Sequence, residues 1–216
     1  MAIPEITQTK SQLVPNMAYA RLASGEQIER TAKALEAHGI KVIVAANGEE
    51  AKQKLFELIP AGAEVFTSSS MTLEALGIPE EVNKRYDSVR VKLARMDRAT
   101  QGREMIKMGA VPEWMVGSVH AVTEDGTVVI ASNTGSQLAG YAASAAHVVW
   151  VVGAQKIVPN LDEAFKRIRE YSLPLEDERA LQAYGMNSNI SKLLIVHREV
   201  MPGRTTMILV KENLGF

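Results

Sequence analysis

From Gly126 to Gln155 the chain carries no Asp, Glu, Lys or Arg. A stretch of that length without charge either crosses a bilayer or lies in a protein interior. Ser132-Asn133-Thr134-Gly135-Ser136-Gln137 interrupts it with polar, turn-forming residues, and His147 sits near the middle of what remains. Backbone in lipid needs all its hydrogen bonds internally, which such a segment does not provide. The stretch is therefore expected to be a buried small-residue helix followed by a buried strand, His147–Val152. The N-terminus lacks a basic start, an apolar run and a small-residue cleavage site, so no signal peptide is expected. The expected location is the cytoplasm, with no membrane partner.

The segments before this stretch alternate. Ile28, Ala32 and Leu35 form one apolar helical face, closed by His38-Gly39. Lys41–Ala46 is a β-branched run, a buried strand. A second helix carries Ala51, Leu55, Leu58 and Ile59 on one face and stops at Pro60-Ala61-Gly62. A short strand, Glu64–Phe66, leads to Thr67-Ser68-Ser69-Ser70 and a third helix near Met71. This β–α rhythm predicts an α/β fold with a mainly parallel central sheet and helices on both faces. Residues 88–110 are expected to be mostly helical. Val119–Thr123 and Thr127–Ala131 flank Glu124-Asp125-Gly126, a hairpin signal. A second hairpin is expected between Leu193–Val196 and Thr206–Val210, around Pro202-Gly203. With no repeat and no linker, residues 1–216 are read as one domain, with 1–20 as a lead-in.

Composition narrows the function. The chain has 24 basic and 25 acidic residues, a formal net charge of -1. That balance speaks against a nucleic-acid partner. With no cysteine, thiol nucleophiles, disulfides and iron–sulfur ligation are excluded. His38, His120, His147 and His197 are widely spaced, so no metal site is expected. The strand at Lys41–Ala46 is followed by Asn47-Gly48-Glu49-Glu50, not by a glycine-rich dinucleotide fingerprint. The cofactor stays unknown.

Three segments are candidates for chemistry. Thr67, Ser68, Ser69 and Ser70 lie where a strand meets a helix, a place suited to phosphate or carboxylate, although a serine there also serves as a helix cap. Ser132, Asn133, Thr134, Gly135 and Ser136 form a second uncharged, donor-rich loop that either lines a pocket or is a capped turn. Glu124, with Asp125, Gly126 and Thr127, is either a plain turn or a carboxylate acting as nucleophile, base or ligand acceptor. Arg179 and Arg204 are anion clamps or surface ion-pair partners.

In combination these motifs resemble the LUD domain family, the lactate-utilisation proteins of the LutC/YkgG type. The segments that carry the likeness are SSSMTLEALGI (68–78), VTEDGTVVIAS (122–132), AAHVVWVVGAQKIVPNLDEAF (145–165) and LASGEQIERTAKALEAHGIKVIVAANGEEA (22–51). Asp125 stands where the family pattern has threonine. Ser144, Ala145 and Ala146 replace its proline before the last buried strand. The resemblance implies a layered fold of the NagB/RpiA/CoA-transferase-like type and a pocket for an anionic small molecule: phosphate, carboxylate or CoA type. It implies a link to lactate or other organic-acid metabolism beside iron–sulfur lactate-oxidation subunits. Two alternatives stand with it: an acyl- or CoA-transferase using Glu124 as its catalytic carboxylate, and a non-catalytic scaffold for iron–sulfur redox partners. Whether the chain is an enzyme, and whether it forms a homo-oligomer, stays open. The likeness also leads to the expectation that Glu124 shares a cleft with Ser132–Ser136, although a flat hairpin would set them roughly 17 Å apart.

Overall fold

The structure is a computed structural model and describes residues 11–216. The first half follows the expected alternation: α1 (Gly25–Ala37), β1 (Lys41–Ala45), α2 (Gly48–Leu58), β2 (Glu64–Thr67), α3 (Met71–Ala75), α4 (Ile78–Arg85), β3 (Asp87–Ser88), α5 (Val89–Ala94), α6 (Arg98–Ala110) and β4 (Trp114–Gly117). The second half has β5 (Ala121–Thr123), β6 (Val128–Ser132), β7 (His147–Gly153), β8 (Ile157–Val158), α7 (Leu161–Arg167), α8 (Leu173–Tyr184), β9 (Lys192–Val196) and β10 (Thr205–Val210).

Local chemistry fixes the early helices. Ser24 and Gln27 form a reciprocal capping box at the start of α1, and Ile28, Thr31 and Leu35 are its buried residues. Asn47 caps α2 by accepting from the Glu50 N–H at 2.9 Å. Caps of this kind contribute about 1 kcal/mol each. The helical region before β4 breaks at Arg95–Asp97 and bends again at Gln101, whose φ/ψ leave the helical region.

Six strands form a parallel sheet in the order β1-β10-β7-β4-β2-β3. Its central strands are buried on both faces, as strands between two layers must be. From β7 and β10, Val148, Trp150, Val152, Met207 and Leu209 point into one core. Val149, Val151, Ile208 and Val210 point into the other, against Ala51, Leu55, Leu73 and Val82 of α2, α3 and α4. Burying each of these aliphatic side chains contributes about 1.5–3 kcal/mol. The first core is closed by Ile28 and Leu35 of α1 and by a second, four-stranded sheet, β8-β5-β6-β9. Val122, Val128 and Ile130 belong to its inner face, while Ala121, Val129 and Ala131 pack outward on Ala164 and Ile168.

The first expected hairpin is present: β5 and β6 pair antiparallel. The second is not. β9 pairs antiparallel with β6 in the small sheet, whereas β10 lies parallel between β1 and β7 in the large one. The two strands flanking Pro202-Gly203 therefore never meet. The reason is burial. Thr205–Val210 is buried along its whole length, but β9 exposes Leu193 and Ile195. A strand buried on both faces cannot pair as the outer arm of a surface hairpin.

The uncharged stretch is β6, a loop, and β7. The helix expected between them shrinks to one π-helical turn, Gly140–Ser144. Arg204 holds it from below. Its guanidinium donates to the carbonyls of Gly140 (2.6 Å), Tyr141 and Ala145 (2.9 Å) and pairs with Glu199 at 2.7 Å. Among the described residues, no helix is long and apolar enough to cross a membrane.

Candidate functional site

The carboxyl ends of the parallel strands define one edge of the large sheet. There β2 and β4 lie side by side, and the connections that follow them leave in opposite directions: β2 leads toward β3, β4 toward β7. Helices α3 and α4 cover one face, the second sheet the other. In open α/β sheets such a reversal is the place where ligands commonly bind, outside the carboxyl ends of the strands.

Thr67–Ser70 joins the carboxyl end of β2 to α3. Thr67 is fully buried, and its carbonyl and hydroxyl accept from Arg90 Nε at 2.6 and 3.0 Å. Arg90 Nη2 donates to Ser69 Oγ at 2.9 Å. Ser68 Oγ accepts from the Tyr141 hydroxyl at 2.9 Å. Burial raises the Tyr141 phenol above its ordinary value, so it stays a proton donor. Ser70 occupies the position before α3 but makes no side-chain cap bond. Gly117 ends the neighbouring strand β4. A Cβ there would collide with the Tyr141 hydroxyl and Ser68 Oγ, so only glycine lets the Tyr141–Ser68 bond pass over β4.

Lys156 lies in the 3₁₀ turn that follows β7. It is 1% exposed. Its Nζ is bonded to Thr72 Oγ1 at 3.0 Å and Ser118 Oγ at 3.1 Å. Thr72 Oγ1 donates in turn to the Leu214 carbonyl at 3.0 Å. Its proton is thereby committed, so toward Lys156 the hydroxyl acts as acceptor. Residues Lys211–Phe216 thus run over α3, and Gln155 Nε2 ties them down through the carbonyls of Leu214 and Gly215.

A second basic side chain is buried close enough to repel the first. Arg167 is 0% exposed. Its Nε donates to the Gln155 carbonyl at 3.3 Å, and its Nη1 donates to the His120 carbonyl and to Ser172 Oγ. Its Nη2 has no partner. His120 Nδ1 accepts from the Ala131 N–H at 3.1 Å, which places the imidazole proton on Nε2.

Among the described residues, neither Lys156 nor Arg167 forms a salt bridge. The electrostatics follow. Desolvation, then repulsion from Arg167, pulls the Lys156 amine well below the ordinary lysine value. Desolvation, then Lys156 and Arg167, pushes His120 down to about 3. Arg167 itself is lowered by desolvation to about 10 and remains charged at neutral pH. The interior therefore holds a guanidinium with a free N–H and an amine between two hydroxyls. The guanidinium's unpartnered N–H favours an anionic acceptor.

The other expected segments lie apart from these side chains. Glu124 sits in the β5–β6 turn, which docks on α1. Its carboxylate accepts from Gln27 Nε2 at 2.8 Å and from Arg30 Nε at 2.9 Å and Nη2. These donors hold it below the ordinary carboxylate range. Asp125 folds back on Thr123 and Thr127, Thr127 Oγ1 meets His197 Nδ1 at 3.3 Å, and Gly126 takes φ 88° hard against Ala34. Ser132–Ser136 follows the other end of β6, so a shared cleft with Glu124 is not built. Ser132 Oγ is spent within the loop on Gln137 and the Gly135 N–H. Asn133 accepts from Ser191 beside β9, and Asn133, Thr134 and Ser136 are exposed. Arg179 pairs with Glu176, and Arg204 is the internal tie described above. Among the described residues, no group of three His, Asp or Glu side chains is placed to hold a metal ion.

Sequence reasoning missed Lys156, Arg167 and Arg90. Signals for the first two were present. Lys156 follows the uncharged stretch directly and precedes Ile157-Val158. Arg167 stands three residues after Ala164 and four before Tyr171, on the apolar stripe of its helix.

The fold is that of a layered α/β domain with a parallel six-stranded sheet. The sequence matches the LUD domain over residues 28–210, and the chain belongs to that family. Among solved structures it is similar to a DUF162 family protein from Deinococcus radiodurans. The likeness has a TM-score of 0.54 at 11% identity and covers 88% of this chain and 99% of that one. At that identity the likeness speaks for the fold. No curated protein matches the chain.

Proposed function

We propose that this LUD-domain protein binds a small anionic metabolite of organic-acid metabolism at the ends of β2, β4 and β7. The carrying observation is the pair of buried basic side chains, Lys156 and Arg167, without a salt bridge among the described residues. Arg167 Nη2 is also unpartnered. Buried charge is normally paired or bound to a ligand. The hydroxyls of Thr72 and Ser118 add short-range polar contacts. The tie to lactate and related acids rests on family membership. The acyl-transfer alternative asks for an available carboxylate, and Glu124 is already engaged by Gln27 and Arg30.

Thermal-shift and calorimetric titrations with lactate, pyruvate, inorganic phosphate and CoA esters test the proposal. A ligand at one hundred times its dissociation constant adds about 2.7 kcal/mol of stability. Binding of at least one of these anions, lost in Lys156→Met and in Arg167→Met, is the expected result. Binding that survives both changes would place the site elsewhere.

A further inference from the structure

The small sheet ends in β9, the last strand in the order β8-β5-β6-β9. Pairs in an antiparallel ladder alternate, so each residue turns its N–H and C=O to one side only. On β6 the Val129 carbonyl accepts from the His120 N–H, and the Ala131 N–H donates to His120 Nδ1, both on the β5 side. Val128, Ile130 and Ser132 therefore face β9, where they stand opposite Val196, Leu194 and Lys192. Leu193 and Ile195 lie between these bonded pairs. Their N–H and C=O groups point away from β6, along an edge where no further strand pairs among the described residues.

The same two residues expose their side chains, whereas Leu194 and Val196 pack on the first core. An edge of this kind is a template for another strand, and proteins usually blunt it with proline, a bulge or a charge in mid-strand. β9 has none of these. Its register with β6 is unbroken from Lys192 to Val196, and its middle residues are Leu193, Leu194 and Ile195. Its charges stand at the ends and are basic: Lys192 opens the strand, and Arg198 follows it closely. Both are exposed, and among the described residues neither forms a salt bridge. Glu199 does not neutralise Arg198, because its carboxylate is turned to Arg204 and Thr205.

We propose that β9 takes an extended segment of a partner protein as a fifth strand of the four-stranded small sheet, and that this segment is apolar or β-branched in its middle and acidic at its ends. The backbone groups of Leu193 and Ile195 supply the main-chain bonds of such strand addition. Their aliphatic side chains pack against the cross-strand residues of the guest. Lys192 and Arg198 meet its acidic ends. The same charges select against a second copy of this chain. Two β9 strands paired antiparallel about a twofold would bring the Lys192 end of one to the Arg198 end of the other, and like charges set opposite each other destabilise a strand pair. The inference is independent of the anion reading and uses none of its residues.

The test uses the full chain and a fluorescein-labelled synthetic peptide of alternating valine and threonine with a pair of glutamates at each end. One control peptide carries lysines in place of the glutamates, and another is N-methylated along its middle. Fluorescence anisotropy measures affinity, and amide hydrogen exchange locates the bound strand. The acidic peptide is expected to bind, more weakly as salt rises. Either control should bind about tenfold more weakly or worse. Exchange of the Leu193 and Ile195 N–H groups should slow in the complex. Replacing both exposed cations, Lys192→Glu with Arg198→Glu, should turn the preference toward the lysine peptide. Absence of binding, equal affinity for the acidic and basic peptides, or protection away from β9 overturns the proposal. So does a dimer in sedimentation that dissociates in Ile195→Lys, because a second copy then holds the edge.

Discussion

Lys156 Nζ and Thr72 Oγ1 lie 3.0 Å apart at the end of the parallel sheet, and the hydroxyl proton of Thr72 is already given to Leu214. One threonine thus connects the buried amine to the C-terminal segment that runs over α3. Thr72→Val keeps the shape and removes both bonds. The expected loss is about 1–3 kcal/mol, the usual cost of leaving a buried polar group without its partner. Thr72→Ser should recover most of it. Urea unfolding of the three proteins checks this, and an unchanged midpoint in Thr72→Val would contradict it.

Lys156→Met should move stability and function in opposite directions. An apolar side chain of similar length relieves a buried amine of its desolvation. Replacing buried charged groups by apolar ones is often neutral or stabilising, by about 1–4 kcal/mol. The unfolding midpoint should hold or rise while anion binding disappears. A clear drop in stability with binding retained would mark Lys156 as a structural tie.

His120 predicts an acid limb. Its folded-state value, about 3, lies below the ordinary 6.5. Between those two values the unfolded chain binds the extra proton and the folded chain does not. Stability linked to His120 is therefore complete above about pH 6.5 and is lost as the pH falls toward 3, at up to about 1.4 kcal/mol per unit. The depressed value of Lys156 acts with the same sign, with its window below the ordinary lysine value of 10.5. His120→Gln should flatten the profile between pH 6.5 and 3. The readout is the urea midpoint against pH, and parallel curves for the two proteins would refute it.

Gly117→Ala is expected to separate Tyr141 from Ser68, because the new methyl group occupies the space of the Tyr141 hydroxyl. Overpacking at such a site costs about 1–3 kcal/mol. Tyr141→Phe should absorb much of the loss, since it removes the colliding oxygen. If the two changes are simply additive, the clash is not the cause.

Glu124→Ala removes a carboxylate that Gln27 and Arg30 share. Arg30 is half-exposed, so solvent screens the pair. The expected loss is about 1 kcal/mol, with no change in anion affinity. A large loss of affinity would bring the acyl-transfer alternative back.

The alternation from Ile28 to Met71 was legible because each helix has one apolar face and each strand is a short β-branched run. The β5–β6 hairpin was legible because Glu124-Asp125-Gly126 is a turn in its own right, with Gly126 at positive φ. Pairing of β9 and β10 was misread for a physical reason: proximity in sequence and a Pro202-Gly203 turn say nothing about which sheet receives each strand. Burial decides that, and a segment such as Thr206–Val210 without polar alternation is a sign of a central strand. Of the three expected site segments, Thr67–Ser70 lies at the carboxyl edge of the large sheet because a strand-to-helix junction in a parallel sheet must end there. The buried basic side chains on which the proposed function rests come from other elements, α7 and the turn after β7, and come near each other only through the fold.

The placement of β10 between β1 and β7 bears on how the molecule forms. Until residues 205–210 are in place, β1 has no strand beside it and β7 has an open flank. Every partner of β1 in the large sheet is more than 160 positions away: Lys41 meets Thr206 and Ala45 meets Val210. Contacts so distant in sequence slow folding, because a long loop must close before any bond rewards it. A nascent chain released or cleaved before β10 would display two unpaired strand edges at once, rich in valine and isoleucine. Such edges are templates for pairing with other chains. Aggregation in this protein is thus expected to be governed by the arrival of one strand, and a chaperone that shields β1 and β7 until then would act at the step that matters most.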